Sequence, residues 1–388
     1  MKKIFIAGLS VIMFLAVIAG TAQSQEKVKV KVAVKQDEGW SNFGGNHVPG
    51  TWSAYIETDK VYIDFTGEDW NTGRRFLLSE LGTLPTGGEG TFHITREAGT
   101  VTFKGVFEGG KGYGFYTFAE NASFKTYLVQ KGYSGLDKEL MLNIFFTDIN
   151  KSYFEFLKEN GYAEVTNSEL KDLAGQDLNH KVMTDYFGLF KTERWGHPSL
   201  GKIVELREHG VNARFVNSFH QMGYKENIPL DNALDLRDHG VSPEFITSIQ
   251  KMGYGSISLD KAVDLRDHGV SPEFINSFQE LGYKKLSLDE AQDLKDHGVN
   301  PEFIHSIQSM GYKDITLDKA RDLKDHGVNP EFIRSIAALG FKDLTLDKAQ
   351  ELRDHGVNAE FIRKMRDKGV KVNTLDDYIK LRDTGFNE

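Results

Sequence analysis

Cysteine is absent from this chain of 388 residues. A chain without thiols forms neither disulfides nor thiolate metal sites, so packing alone must hold its fold together. Basic residues are also not in excess. The chain has 47 Lys and Arg but 56 Asp and Glu, which gives a net charge of −9. This balance argues against a nucleic-acid partner, whose binding needs clustered Lys and Arg.

Motifs for catalysis are lacking as well. After the first 24 residues, the sequence contains no His-Glu-x-x-His zinc motif, no Gly-x-x-x-x-Gly-Lys-Ser/Thr phosphate loop and no Gly-x-Ser-x-Gly nucleophile elbow. Asp and Glu recur at predicted helix starts and surfaces, where they complement the helix dipole instead of forming a catalytic pair. The sequence therefore predicts a protein that binds and does not catalyse, with no cofactor and no metal.

The first residues have the pattern of a secretory signal peptide. Two lysines precede an apolar run from Ile4 to about Ala19, and cleavage fits after Ala22 or Ser24. The alternative is a membrane anchor, but the run is short for a span and polar residues follow it at once. We predict a signal peptide over residues 1–24 of a bacterial-type protein, and a periplasmic or secreted mature chain with no stable membrane span.

An internal repeat dominates the rest of the sequence. The tetrapeptide Asp-His-Gly-Val recurs every 29 residues, preceded by one Glu-His-Gly-Val, and glycine-aromatic pairs lie between the copies. A fixed period of this length is the signature of a stacked repeat architecture. The histidines of these copies are His209, His239, His268, His297, His326 and His355.

One unit shows how each half of the repeat forms a helix. Ser287 and Glu290 are predicted to form a capping box at the start of the first helix, and Gly298 supplies the left-handed residue that ends it. Asn300 caps the second helix, and Gly311 ends it. Helices of about ten residues are too short to persist alone, so they must stack on neighbouring units. The repeat therefore predicts an α-solenoid of 29-residue helical hairpins.

The array extends beyond the clear copies. Second-helix patterns recur at residues 121–133 and 150–162, and a weaker one with an early glycine lies at 179–190. Residues 191–200 are predicted to form an inserted loop. We therefore predict about nine units over residues 119–388, of which the first three have diverged and the last is a polar C-terminal cap.

Residues 26–118 have a strand period instead. Apolar and polar residues alternate, and glycine-rich turns separate about seven short segments. This pattern predicts a small antiparallel β-sandwich or open barrel that covers the first face of the array, so the whole chain is multidomain α+β. The strand candidates are residues 28–34, 52–57, 60–65, 75–78, 91–95, 100–107 and 112–118.

The repeated histidines allow two interpretations. In a metal row, neighbouring imidazoles would need nitrogens about 2.0–2.1 Å from one ion, whereas stacked helices lie about 8–10 Å apart. In a structural role, each histidine precedes a terminal glycine, where it bonds free carbonyls and complements the negative end of the helix dipole. The sequence favours the structural role, and we expect the aspartate beside each histidine to point elsewhere.

Aromatic residues of the β domain suggest a second kind of site. One interpretation is a sugar-stacking platform, and the other is an ordinary strand core. The platform gives the alternative function, a carbohydrate- or small-ligand-binding protein that acts through the N-terminal β domain. The residues concerned are Trp40, Trp52, Tyr55, Tyr62 and Trp70.

Two rows of positions vary between units while their neighbours stay fixed. In a repeat array, fixed positions build the stack and variable ones face outward. We hypothesise that one of the two rows lines a binding face, with plain solvent exposure as the alternative. The second-helix row, which is the candidate binding face, comprises Asn217, Thr247, Asn276, His305, Arg334 and Arg363. The first-helix row comprises Leu234, Val263, Gln292, Arg321 and Gln350.

Two stretches of this sequence resemble a known family. The repeat segment Leu-Arg-Asp-His-Gly-Val-Ser-Pro-Glu-Phe-Ile and the Trp-Asn-Thr-Gly-Arg-Arg-Phe stretch at residues 70–76 resemble the extracytoplasmic region attached to bacterial membrane metallopeptidases of the β-lactam-sensor, antirepressor type. The resemblance covers residues 40–388, and its motifs carry no assigned chemistry. The peptidase zinc motif and transmembrane helices of that family are missing here. The resemblance therefore implies a free-standing, sensor-like outer part and no catalytic residue.

These patterns together predict an exported, non-enzymatic binding or scaffold protein. Its helical repeat surface is expected to recognise a protein or ligand, and the expected partner is another envelope or extracellular protein. A hydrolase with an unrecognised site is the remaining alternative.

Overall fold

The computed structural model describes residues 48–385. They form a six-stranded antiparallel sheet followed by helices that repeat along the chain, which confirms the predicted α+β class with a helical solenoid. The predicted signal peptide, the strand candidate at 28–34 and Trp40 lie outside the described residues. Between residues 48 and 385, no helix is both long and apolar enough to cross a membrane.

A single curled sheet, in the strand order β3-β2-β1-β6-β5-β4, makes up the N-terminal part. Because all described strands belong to this one sheet, the domain is an open half-barrel and not a two-layer sandwich. The six strand candidates that fall on described residues are confirmed, and one helical turn, α1 (Leu78–Leu81), follows β3. The strands are β1 (Val48–Ile56), β2 (Lys60–Thr66), β3 (Asn71–Leu77), β4 (Gly90–Arg96), β5 (Gly99–Glu108) and β6 (Lys111–Glu120).

Strand alternation places an aromatic core inside the curl of the sheet. Trp52 is only 2% exposed, and its ring meets the ring of Phe103 edge-on with centroids 5.7 Å apart. The indole Nε1 of Trp52 donates to the carbonyl oxygen of Phe115 at 3.0 Å, which satisfies its polar group. Trp70 is also partly buried against this core. Trp52 is therefore not available for the predicted sugar platform, whereas Trp70 keeps part of its surface exposed.

Pairs of short helices fill the rest of the described chain. A lone second helix, α2 (Ala122–Gln130), precedes the pairs, and a lone first helix, α19 (Leu375–Asp383), follows them. The pairs are α3 (Lys138–Thr147) with α4 (Lys151–Glu159), α5 (Asn167–Gly175) with α6 (His180–Glu193), α7 (Leu200–Glu208) with α8 (Ala213–Gln221), α9 (Leu230–Asp238) with α10 (Pro243–Ile249), α11 (Leu259–Asp267) with α12 (Pro272–Glu280), α13 (Leu288–Asp296) with α14 (Pro301–Ser309), α15 (Leu317–Asp325) with α16 (Pro330–Ala337), and α17 (Leu346–Asp354) with α18 (Ala359–Asp367).

The predicted helix ends are confirmed in the unit that contains α13 and α14. Ser287 and Glu290 form the capping box, and the side chain of Asn300 accepts a hydrogen bond from the Phe303 backbone N–H at 2.8 Å. Gly298 has a φ of 66°, a left-handed value that a side chain disfavours. Local signals thus fix where α13 and α14 begin and end, and packing against neighbours keeps them folded.

The loop predicted for residues 191–200 begins later than expected. Helix α6 continues through Gly188 to Glu193 and ends at Arg194, which has a left-handed φ of 57°. The interior glycine does not end the helix, because Leu189 and Phe190 beyond it are buried and hold the next turn in place. The connection that remains is short, and in it Trp195 donates through Nε1 to the carbonyl oxygen of Ile228 at 2.7 Å.

The sheet packs directly against the first helices of the array. The ring centroids of Phe65 in β2 and Phe146 in α3 are 4.7 Å apart. Arg96, at the end of β4, donates through Nη1 to the carbonyl oxygens of Phe145 and Phe146, at 2.7 Å and 3.0 Å, and so caps the C-terminus of α3. The β domain therefore covers the first face of the array, and the described residues form one compact unit.

Candidate binding surfaces

The repeated histidines connect consecutive units. Each lies at the C-terminal end of a first helix, as predicted, but its Nδ1 donates to an aspartate carboxylate of the following unit and not to a free carbonyl. That aspartate directly precedes the next histidine, except in the last pair, where Thr384 follows Asp383. We call this series the His–Asp ladder. Its pairs are His209–Asp238, His239–Asp267, His268–Asp296 (2.6 Å), His297–Asp325 (2.7 Å), His326–Asp354 (2.6 Å) and His355–Asp383 (2.7 Å).

Charge favours this ladder at both of its ends. The hydrogen bond to Asp238 raises the pKa of His209, and the hydrogen bond to Asp383 raises the pKa of His355. A protonated imidazole pairs with the carboxylate as a charge-assisted hydrogen bond, which is stronger than the neutral one. The ladder therefore joins consecutive units. Among residues 48–385, no group of three or more His, Cys, Asp and Glu residues is placed to hold a metal ion.

A second ladder uses the cation that precedes each Asp-His pair. Arg237 donates through Nε to the carbonyl oxygen of His209 at 3.1 Å, and its guanidinium lies 5.0 Å from the ring centroid of Phe215. Each first helix after α7 thus places a cation over the first-turn phenylalanine of the unit before it. The same cation–ring contact recurs as Arg266 on Phe245, Lys295 on Phe274, Lys324 on Phe303, Arg353 on Phe332 and Arg382 on Phe361.

The glycine-aromatic pairs form a third ladder. The hydroxyl of Tyr283 donates to the carbonyl oxygen of Ile315, in the next unit, at 2.6 Å. Burial raises the pKa of Tyr283, so the hydroxyl keeps the proton that it donates. Equivalent bonds join Tyr224 to Ile257, Tyr254 to Leu286 and Tyr312 to Leu344. The repeated His, Asp, Arg, Lys and Tyr side chains are thus used to assemble the array.

The second-helix row lies outside these ladders. Each of its members occupies the fifth position after a helix N-cap, so one register carries the whole row along the array. Asn217, Asn276, His305, Arg334 and Arg363 are exposed, and Thr247 is half-buried. The described hydrogen bonds of the row stay within one helix, from Asn276 to Glu280 and from Arg334 to Glu331.

The first-helix row has a different environment. Leu234 is buried, and the other four members are half-buried. Gln292 accepts from the Nζ of Lys261, in the preceding unit, at 2.9 Å, and Arg321 pairs with Asp293 of the preceding unit. These positions vary in sequence, yet their side chains meet across the boundary between units. Of the two rows, the second-helix row is therefore the one that faces solvent.

A cleft of about 560 Å³ lies where β3 and β4 meet α3, α4 and α6. Asp148 and Asp177, on its wall, have left-handed φ values of 55° and 53°. They occupy the position that glycine takes in the later units, two residues before an N-cap asparagine. Burial raises the pKa of both carboxyls, and burial lowers the pKa of Arg74 beside them. Sequence analysis missed this cleft, although aspartate in place of the repeated glycine was a readable signal.

Most charges in the cleft already have partners. Arg96 pairs with Glu80 at 3.1 Å, and Arg75 pairs with Glu57 at 3.1 Å. Arg74 packs over the Phe146 ring, and its Nε is buried without a hydrogen-bond partner among the described residues. The cleft is polar and close to neutral, and its main observed role is to join the sheet to the array.

The outer face of the sheet carries exposed tyrosines. Tyr55 on β1 and Tyr62 on β2 are cross-strand partners, with stacked rings whose centroids are 5.0 Å apart. Tyr113 on β6 is 54% exposed and was not among the predicted platform residues. Two of the five predicted aromatics therefore lie on one exposed surface, while Trp52 and Trp70 pack in or against the core.

Comparison with known proteins leaves the chain without an assigned relative. No family model matches the sequence, and no curated protein matches it. The resemblance to the outer region of β-lactam-sensor metallopeptidases stays a prediction.

Proposed function

We propose that this chain is an exported, non-enzymatic binding protein whose helical array presents the second-helix row to another envelope or extracellular protein. The observation that carries the proposal is the difference between the repeated positions and the variable positions of each unit. The repeated polar side chains bond to neighbouring units, whereas the second-helix row varies, lies on the surface and bonds within single helices. Surface positions that vary in a fixed register are where repeat proteins place recognition residues.

The composition of the row indicates the chemistry of the partner. The N-terminal members Asn217, Thr247 and Asn276 are neutral hydrogen-bonding residues, whereas Arg334 and Arg363 at the other end are basic. Guanidinium groups bind carboxylates through paired hydrogen bonds and contribute strongly at protein interfaces. We therefore propose a partner surface with acidic residues opposite α16 and α18.

Charge reversal tests this proposal. The double variant Arg334→Glu and Arg363→Glu is expected to lose most of the partner that the wild-type chain captures by cross-linking in envelope extract, because like charges then face each other. The matched control, Lys313→Glu and Lys342→Glu, makes the same charge change at exposed turn residues outside the row. Equal capture by both double variants would refute a binding face at this row.

The proposal also includes export. A full-length chain with a C-terminal tag is expected in the periplasm or the medium, and a chain that lacks residues 2–24 is expected in the cytoplasm. Cell fractionation followed by N-terminal sequencing of the exported form checks both the compartment and the cleavage site. Retention of the full-length chain in the cytoplasm would contradict this part of the proposal.

A further inference from the structure

The outer face of the half-barrel carries three tyrosines on neighbouring strands. On β1, Tyr55 faces away from the core residues Trp52 and Ala54, because side chains alternate along a strand. Tyr62 is its direct neighbour on β2, and Tyr113 on β6 is its diagonal neighbour, since Tyr113 pairs with Ser53. The three rings thus span three adjacent strands. We call Tyr55, Tyr62 and Tyr113 the tyrosine face.

Glycine at one position shapes this surface. A Cβ at Gly73, on β3, would lie 1.9 Å from the hydroxyl oxygen of Tyr62. Because Gly73 has no side chain, the Tyr62 ring can lie over β3. The Tyr62 hydroxyl donates to Oδ1 of Asp64, on the same strand β2, at 2.8 Å. Any side chain at Gly73 would push this ring out of its place. The Tyr62 ring is therefore held against β3.

The charged side chains around the rings balance. Arg75 is bonded through Nε to both carboxylate oxygens of Glu57, at 3.1 Å each, and its guanidinium lies 5.0 Å from the Tyr62 ring centroid. Asp64 accepts from Tyr62, and Ser53 beside it adds a small exposed hydroxyl. Three further charged residues border the rings on this face, Lys60, Glu108 and Lys111, so three basic and three acidic side chains balance. The surface therefore selects neither an anion nor a cation. Tyr62 lies between Tyr55 and Arg75, so the ring faces left open to a ligand are those of Tyr55 and Tyr113. Hydroxyl, carboxylate and guanidinium groups beside them provide hydrogen bonds.

We propose that the tyrosine face binds an extended, neutral polysaccharide strand. One face of a pyranose ring consists of C–H bonds and packs on an aromatic ring, while its hydroxyls need both donors and acceptors at the edge. The tyrosine face supplies both, and its width of about two strand spacings, roughly 10 Å, suits consecutive sugar rings. This site is separate from the second-helix row. Polysaccharide binding by the tyrosine face and partner binding by the row can therefore be tested independently.

Retention on insoluble polysaccharide tests the proposal with the full mature chain. We expect wild type to be depleted from solution by cellulose or chitin, and released by the soluble hexasaccharide of the same sugar. Tyr55→Ala and Tyr113→Ala should each weaken binding by about threefold to tenfold, as expected for the loss of one aromatic contact. Tyr55→Phe keeps the ring and should bind like wild type. Val129→Ala, a change at an exposed apolar residue of α2, controls for general adhesion.

Three results would overturn the proposal. The first is a wild-type chain that neither polysaccharide depletes. The second is equal retention of wild type and the two alanine variants, after circular dichroism has shown that all are folded. The third is a dimer in sedimentation that becomes a monomer on Tyr113→Ala, which would assign the tyrosine face to a second copy of the chain.

Discussion

The imidazole Nδ1 of His297 and the carboxylate Oδ1 of Asp325 lie 2.7 Å apart across the boundary between two consecutive units. Each residue belongs to an Asp-His-Gly-Val copy, so a single tetrapeptide supplies the donor on one side of a unit and the acceptor on the other. Repetition every 29 residues then builds a ladder without any further sequence information. The pairing tolerates one extra residue, because His209 and Asp238 lie 29 positions apart whereas His297 and Asp325 lie 28 apart.

Stability should depend on pH through the ladder ends. The pKa of both His209 and His355 is raised, so each binds its proton more tightly in the folded state. Their contribution is complete below the unfolded pKa of about 6.5 and is lost as pH rises through the folded pKa. We expect the free energy of unfolding, measured by urea titration, to fall as pH is raised across this window.

Two sets of variants separate the ladder from other histidines. The double variant His209→Gln and His355→Gln should flatten the fall in unfolding free energy with rising pH. His305→Gln, which removes an exposed histidine of the second-helix row, should leave that slope unchanged. Identical slopes in wild type and the double variant would show that the ladder does not titrate as described.

Two glycines with different roles give opposite predictions. Gly298 has a φ of 66°, so Gly298→Val forces a β-branched residue into left-handed backbone and should cost about 1–2 kcal/mol. Gly188 lies inside α6, and apart from its chain neighbours and the backbone of its own helix no atom lies within 4 Å of an added Cβ. Gly188→Ala should therefore stabilise the chain by about 0.5–1 kcal/mol. Chemical denaturation measures both, and effects of the same sign would contradict the assignment of the two positions.

Helix ends were predictable from sequence because their causes are local. The side chain that caps α13 at Ser287 acts on the backbone three residues away, and Gly298 acts on its own φ. The strand candidates were likewise visible in the alternation of residues such as Val101 and Phe103, which both point into the core. Each of these signals lies within a few residues of the structure that it determines.

Contacts between units were not predictable in the same way. The partner of His297 lies 28 residues away, and sequence analysis considered only the carbonyls of the helix that the histidine ends. Gln292 and Arg321 vary between units, yet packing places them at a unit boundary and not in solvent. The cleft and the tyrosine face also depend on how the sheet curls, which no local pattern specifies.

The tyrosine ladder predicts a modest cost for losing one hydroxyl. Tyr283→Phe removes the hydrogen bond to the Ile315 carbonyl while keeping the ring, and should destabilise the chain by about 0.5–1.5 kcal/mol. Phenylalanine is sterically acceptable there, since Phe341 holds the equivalent position two units later. Tyr55→Phe, at an exposed position of the sheet, is the control and should change the unfolding free energy little. Equal effects of the two changes would show that the inter-unit bond contributes nothing.

A buried carboxylate should be the most sensitive polar site of the array. Glu193 is 3% exposed, and its oxygens accept from the Nε2 of His220 at 2.9 Å and from the backbone N–H of Ile228 at 3.0 Å. Burial lowers the pKa of His220, but the hydrogen bonds to the Tyr224 carbonyl and to Glu193 outweigh it, so the pKa is raised overall.

Replacement of this carboxylate leaves both of its donors without an acceptor. Glu193→Ala should therefore cost about 3 kcal/mol, since a buried N–H and a partly buried imidazole lose their partner together. Glu205→Ala removes a surface carboxylate paired with Lys202 at 2.8 Å, and should stay within about 1 kcal/mol of wild type. Urea denaturation at pH 6 measures both variants. A loss at Glu193 no larger than that at Glu205 would show that Glu193 is not required to anchor the turn before α9 to the end of α6.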